Sequence, residues 1–366
     1  MDESTQKMQS RQQLAGRAIS HSYPTIRQED IDAVVRCLTS RQLVAGDVTR
    51  TLEQTVAATM GYRYAAATIN GSQALHLALR ALPNPKSRRV GLQSYLCRTM
   101  YDATVLAGCD PQLLDLKENS FSISPEEALR ANVATVIVPH MFGIRTEVEK
   151  FLEAGLMVIE DCAQRLVPEK VWSREPKPPF RILSFSATKL LTGGTGGMVL
   201  TDDEQTYNRL CSLRDAPYDL AEPAVWMPYT DIQASLALSQ WGRLEDFLTK
   251  RARLAKIYLE ELEDLSGCEI PAAMYAEDTY HFRFILRVDD LNHVIDHAAK
   301  SEIVFCFPVG PMALHDLFSV KGNFANTDDA MANFVSLPLY PELSEPEARR
   351  ISRVLKESVT KARHGV

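Results

Sequence analysis

Short apolar runs alternate with amphipathic stretches along most of the chain. Runs at 64–68, 89–92, 112–115, 135–138 and 156–159 have the length and composition of strands. Between them, residues 74–82, 99–107, 125–131 and 147–154 read as helices. Strands that alternate with helices predict an α/β chain with a mostly parallel, doubly wound sheet. Ligands of such sheets sit beyond the carboxyl ends of the strands, so the residues just after each strand are the ones to inspect. Upstream, Thr25 is placed to cap a helix with an apolar face of Ile31, Val34, Val35 and Leu38, and 51–60 reads as a second helix. Residues 231–262 read as one long helix or two in succession. The pattern then changes: strand-like 282–288 and 303–307 alternate with helical 291–300 and 345–359, which predicts a smaller C-terminal α+β unit. The expected division is a flexible polar tail over 1–20, a large domain over 21–240 and a small one over 241–366.

Length and composition agree with this division. The 366 residues suit two domains, and 45% hydrophobic with 24% charged residues suits a globular chain with a sizeable core. A net charge of -7 with no basic stripe argues against a nucleic-acid partner, and Lys250, Arg251 and Arg253 read as a solvated helix face. The seven cysteines are scattered without a C-x-x-C pair, so neither a disulfide framework nor a zinc site is expected, and a reducing, cytoplasmic setting fits. The start of the chain is polar, unlike a signal peptide, and no apolar run is long enough to span a bilayer.

Three segments carry candidate chemistry. In Ile159-Glu160-Asp161-Cys162-Ala163-Gln164, Asp161 emerges at the end of an apolar strand. A buried carboxylate there can pair with a protonated ring nitrogen; its plainer role would be to cap a helix starting at Cys162. In the second segment, the strand ending at Ser184 leads through Ser186 and Lys189 into Gly193-Gly194-Thr195-Gly196-Gly197. A lysine amine with a lowered pKa can attack an aldehyde, the serines can donate hydrogen bonds to a phosphate, and the glycines let the backbone turn back into the sheet. Read plainly, it is a glycine-rich hairpin with a surface lysine. Third, Asn70-Gly71-Ser72-Gln73 lies between a strand and a helix, where free backbone N–H groups hold an anion. Ser72 would otherwise serve as an N-cap.

In this order and setting, the three segments resemble the DegT/DnrJ/EryC1/StrS sugar aminotransferases, a branch of the fold-type-I pyridoxal 5'-phosphate (PLP) enzymes. The resemblance extends through Val138-Pro139-His140-Met141-Phe142-Gly143, Asp231-Ile232-Gln233-Ala234 and Ser336-Leu337-Pro338-Leu339. It implies that Lys189 holds PLP as an imine and transfers protons. It further implies that Asp161 holds the pyridine nitrogen, that Gln164 contacts the ring hydroxyl, and that Gly71, Ser72, Gln73 and Ser184 cradle the phosphate. It also implies a homodimer with active sites at the interface. The reaction would carry an amino group from an amino acid, by analogy glutamate, through pyridoxamine phosphate to a keto group on a sugar or nucleotide-linked sugar. A PLP enzyme of another substrate, or a PLP-binding regulator without turnover, are the alternatives. The histidine that replaces the lysine in related sugar dehydratases is absent, which favours transamination.

The chain departs from the family pattern at several places. Thr195 stands where the family has an acidic residue, Trp226 where an asparagine reaches from the partner subunit, and Pro228 where an arginine follows. Cys97 stands at the position of the ring-stacking aromatic, with Tyr95 and Tyr101 nearby. Cys306-Phe307-Pro308 replaces a family H-Y-P, and the loop between Gln164 and Ser184 is altered. Arg98, Trp226 and His315 are weighed as substrate contacts and, in the plainer reading, as structural residues.

Overall fold

A computed structural model describes residues 18–82 and 88–364, so the expected tail falls outside the described residues up to residue 17. Seven strands form the main sheet: β1 Tyr64–Thr68, β2 Arg89–Gln93, β3 Asp110–Leu114, β4 Thr135–Pro139, β5 Met157–Asp161, β6 Phe180–Ser184 and β7 Gly197–Thr201. Their order is β1-β7-β6-β5-β4-β2-β3. β7 runs antiparallel to both of its neighbours, and the remaining pairs are parallel. Every residue of β4, β6 and β7 is buried, as befits strands covered on both faces.

Successive residues of a strand point to opposite faces, and the core divides accordingly. Ile137, Ile159, Ile182 and Val199 join the cluster that runs into the C-terminal part of the chain. Val136, Val138 and Val158 pack on the other face, as do Leu183, Met198 and Leu200. This alternation places Asp161 with Ile159, and Glu160 with Val158.

A second, antiparallel sheet has the order β10-β9-β8, formed by β8 Cys268–Glu269, β9 Phe284–Val288 and β10 Phe334–Leu337. The expected strand at 303–307 does not form. Ile303 makes a single bridge to Ile19 and Cys306 one to Ser336, because the segment touches two different neighbours instead of following one. Residues 231–262 divide into helices Asp231–Trp241 and Leu244–Leu262.

The helix Gln28–Ser40 differs from expectation in both its cap and its face. The N-cap is Arg27, whose amide donates to Asp30, while Thr25 accepts from Gln240 through its carbonyl. The buried side chains are Asp30 and Cys37; Ile31, Val35 and Leu38 are 48%, 52% and 50% exposed. Asp30 faces Ser239, Gln240 and Arg243, so the inward side is a polar network and the apolar side faces out.

Candidate active site

Asp161 closes β5 at the carboxyl edge, buried. No helix starts at Cys162; Asp161 Oδ1 instead accepts from the Ala163 amide at 2.9 Å, holding a tight turn. Among the described residues no side-chain cation lies within ion-pair reach of it. Burial raises its pKa, and the Ala163 hydrogen bond and the more distant charge of Lys189 pull the other way. Gln164, three residues on, accepts from the Phe142 amide at 2.8 Å through Oε1. That bond leaves the amide –NH2 of Gln164 to donate elsewhere.

Glu160, one residue earlier, sits in the opposite situation. It pairs with Arg181 and with His140 Nε2 at 2.8 Å. The Thr146 amide donates to His140 Nδ1, so the imidazole carries its proton on Nε2 and donates it to Glu160. Burial alone would raise Glu160, but Arg181 and His140 outweigh it and bring its pKa down to about 2. Arg165 and Glu175 form a second pair on this side, at 2.6 Å.

Lys189 lies in the loop between β6 and β7. The Phe185 amide donates to Gly196 O at 2.7 Å and the Gly193 amide to Phe185 O at 2.9 Å, closing the base of that loop. The Lys189 ammonium lies 5.3 Å from the centroid of the Phe282 ring. Desolvation lowers its pKa; Cys97 and Asp161 partly offset this, and Arg283 adds to it. Cys97 is therefore near the amine, as are Asp161 and Arg283.

The helix Gly71–Arg80 begins beside Ser184. Asn70, not Ser72, is its N-cap, with Oδ1 accepting from the Gln73 amide at 2.8 Å. The Gly71 and Ser72 amides have no acceptor among the described residues. A Cβ at Gly71 would lie 3.0 Å from Ser184 Cβ, so Ser184 packs directly against this helix start. Gly197 permits the approach: a Cβ there would lie 2.5 Å from the Asn70 carbonyl carbon. Thr195, in the place of the family's acidic residue, donates to Ile69 O at 2.8 Å and fastens the glycine loop to the same turn.

Two free amides, the Ser184 hydroxyl, a carboxylate without a cation and a desolvated amine suit a phosphorylated aldehyde with a basic ring nitrogen. Gln73, also expected in the cradle, takes part in the helix start. Its side chain folds back to accept from the Ile69 amide at 2.8 Å and its own amide is taken by Asn70, because the helix start needs both bonds.

The other residues weighed from sequence are placed as follows. Tyr95 is wholly buried between Phe121 and Phe142, and Tyr101 stacks on Phe318. Arg98 pairs with Asp102. His315 bonds Ser94 at 2.8 Å, pairs with Asp328 and stacks on Phe324, a structural role. Trp226 is 64% exposed. Sequence reasoning missed Phe282 and Arg283, which precede β9 and meet Lys189 only through tertiary packing. A cavity of about 520 Å³ lined by Phe121, Arg287 and Asp329 among others contains none of these candidates.

A profile of the DegT/DnrJ/EryC1/StrS aminotransferase family matches residues 24–356. The chain belongs to this family. It is a PLP-dependent aminotransferase. Relatives of this family enzyme include an uncharacterized protein of Methanocaldococcus jannaschii, 27% identical over 93% of this chain and 97% of that protein. The spore coat polysaccharide biosynthesis protein SpsC of Bacillus subtilis is 26% identical, with 93% and 97% covered. Among solved structures, PseC of Helicobacter pylori, an aminotransferase involved in the biosynthesis of pseudoaminic acid, superposes with a TM-score of 0.84 at 17% identity, covering 94% of this chain and 100% of that one. A putative sugar aminotransferase from Streptococcus pneumoniae, in its PMP-form, gives 0.86 at 21% identity, with 95% and 99% covered. These structures establish the fold, an α/β PLP transferase fold with a mostly parallel seven-stranded sheet.

Proposed function

We propose that this aminotransferase moves an amino group from glutamate to a keto group on a sugar or nucleotide-linked sugar, with Lys189 and Asp161 as its catalytic residues. The observation that carries the reading is the convergence of the Lys189 amine, the buried Asp161 carboxylate and the free Gly71 and Ser72 amides at one carboxyl edge of the sheet. The amides and Ser184 Oγ hold a phosphate, aided by the positive end of the helix dipole. Gln164 donates to the ring hydroxyl through its free –NH2. Asp161 keeps the ring nitrogen protonated, and its burial strengthens that pairing. When bound, PLP supplies the electron sink for the substrate carbon. Lys189 would hold the aldehyde carbon, and its free amine would take the proton of the donor's α-carbon. Desolvation favours the neutral amine that both tasks need.

The sugar acceptor is supported by the likeness to SpsC, a spore coat polysaccharide biosynthesis protein, and to PseC, an aminotransferase of pseudoaminic acid biosynthesis. The changes at Cys306-Phe307-Pro308 favour an acceptor that differs from the usual family substrates. Assembly as a homodimer is supported by the outward apolar side of Gln28–Ser40, with Val44 43% exposed and Val225 and Trp226 both 64% exposed. A cytoplasmic setting is supported by the scatter of the seven cysteines, which include no C-x-x-C pair. No helix among the described residues is long and apolar enough to cross a membrane.

The test is the absorbance spectrum of the protein with PLP, before and after glutamate, with Lys189→Ala alongside. The expected result is a visible band in the parent alone that bleaches on adding glutamate. A band that ignores glutamate would remove glutamate as the donor; an equal band in Lys189→Ala would overturn the role of Lys189.

A further inference from the structure

Most of the well-buried arginines of this chain face a carboxylate. Arg181 has Glu160, Arg165 has Glu175, Arg214 has Glu53 and Arg243 has Asp30. Among the described residues Arg251 has none within ion-pair reach and its Nε is likewise buried without an acceptor, but one of its terminal nitrogens is held by two carbonyls, of Phe282 and Leu339, at 2.9 and 2.8 Å. Arg283 shares this lack of a carboxylate, has a single carbonyl bond and stands by the ring that Lys189 also meets. One terminal nitrogen donates to Pro308 O at 2.7 Å, Nε is buried with no acceptor, and the other terminal nitrogen has no acceptor among the described residues. No carboxylate lies within ion-pair reach of it among those residues. The phenol of Tyr95, close enough to feel its charge, is also buried without a partner.

The position of this guanidinium matters as much as its isolation. Its carbon lies 5.3 Å from the centroid of the Phe282 ring, the same ring over which the Lys189 ammonium lies at 5.3 Å. The backbone beneath is fixed, with the Phe282 amide donating to Phe142 O at 2.9 Å. Desolvation lowers the pKa of Arg283, against the weaker pull of Cys306 and Tyr95. A buried cation without an anion is unfavourable, and a ligand carboxylate that fits its fork would relieve it.

We propose that Arg283 binds a carboxylate of the amino donor. This inference rests on the reading of Lys189 as the cofactor lysine. The alternative anion, a phosphate on a nucleotide-linked acceptor, is less suited to this place. The donor's α-carboxylate is bonded to the very carbon whose proton Lys189 takes, whereas such a phosphate lies several bonds from the reacting carbon. A guanidinium that shares a ring with Lys189 is therefore matched to the donor.

Calorimetry with glutarate, an unreactive dicarboxylate, tests this on the PLP-loaded protein. In Arg283→Gln, glutarate binding is expected to weaken by about 10- to 100-fold, as for loss of a charge-assisted bidentate contact. The glutamate concentration for half-maximal bleaching should rise by a similar factor, while the visible band persists. Arg283→Lys keeps the charge without the fork and should fall between the two, which also serves if Arg283→Gln folds poorly. Pyrophosphate binding should not change. Glutarate binding equal to the parent's in a folded variant overturns the proposal, and so does loss of pyrophosphate binding with glutarate binding intact. Calorimetry needs no turnover. A parent that never bleaches with glutamate therefore counts against glutamate as the donor, and glutarate still decides whether Arg283 binds a carboxylate.

Discussion

Glu160 and Asp161 are adjacent on β5, both buried, and point to opposite faces of the sheet. On one face, Glu160 is matched by Arg181 and His140, and Arg165 by Glu175, so each charge has its partner. On the other, among the described residues, Asp161 lacks a cation, Arg283 lacks an anion and two helix-start amides lack acceptors. The first face holds the structure together. The second carries unmatched charges of both signs, which suits the proposed site for a zwitterionic substrate and an anionic cofactor. The two carboxylates accordingly move in opposite directions, Glu160 down to about 2 and Asp161 upward.

Isosteric substitutions at these neighbours should separate the two roles. Asp161→Asn is expected to cost about 10²- to 10³-fold or more in turnover, since an amide cannot hold the ring proton, and steady-state kinetics checks this. The cofactor-free Asp161→Asn protein should be at least as stable as the parent, because the substitution removes a buried charge that has no partner. Glu160→Gln should show the reverse pattern. It leaves Arg181 buried without its counter-ion and is expected to cost roughly 3–5 kcal/mol in chemical denaturation, while the folded fraction keeps its turnover. Comparable losses of turnover in both variants would break the contrast.

The pH dependence sharpens the same contrast. The folded pKa of Glu160 is depressed from 4.5 to about 2, so its stabilisation is present above about 4.5 and is lost as pH falls toward 2. Denaturation midpoints between those values should fall steeply for the parent and less steeply for Glu160→Gln. A smaller effect is expected at the cradle. Ser184→Ala should weaken PLP binding by about tenfold, the scale of one hydrogen bond to a charged group, as read by fluorescence titration. On the same scale, Val35→Asp on the outward side of Gln28–Ser40 should shift a dimer toward monomer in sedimentation, by about tenfold in dissociation constant. An unshifted assembly would remove that helix from the interface.

These regions also differed in how far the sequence reveals them. The placement of Asp161 and Ser184 at strand ends, and of Lys189 in the glycine loop that follows, was legible because strand ends and glycines fix where the chain turns. The continuous apolar runs of β4 and β5 likewise read as buried parallel strands. The helix Gln28–Ser40 was legible as a helix but not in its orientation, since periodicity defines two faces without saying which one meets water. Its inward side is secured by Asp30 and Arg243, partners 213 residues apart. The bonds of Gln73 were not legible for a local reason: the helix start uses its amide and its side-chain oxygen, which the motif alone does not display. Phe282 and Arg283 were invisible because no local pattern marks them; they reach Lys189 by folding.

The claim that the open face is the cofactor site is tested most directly by reducing the PLP-loaded protein with borohydride and mapping the modified peptide by mass spectrometry. The account predicts one phosphopyridoxyl label, on Lys189, and its loss in Lys189→Ala. A label on another lysine, or none in a protein shown to hold PLP, would contradict it.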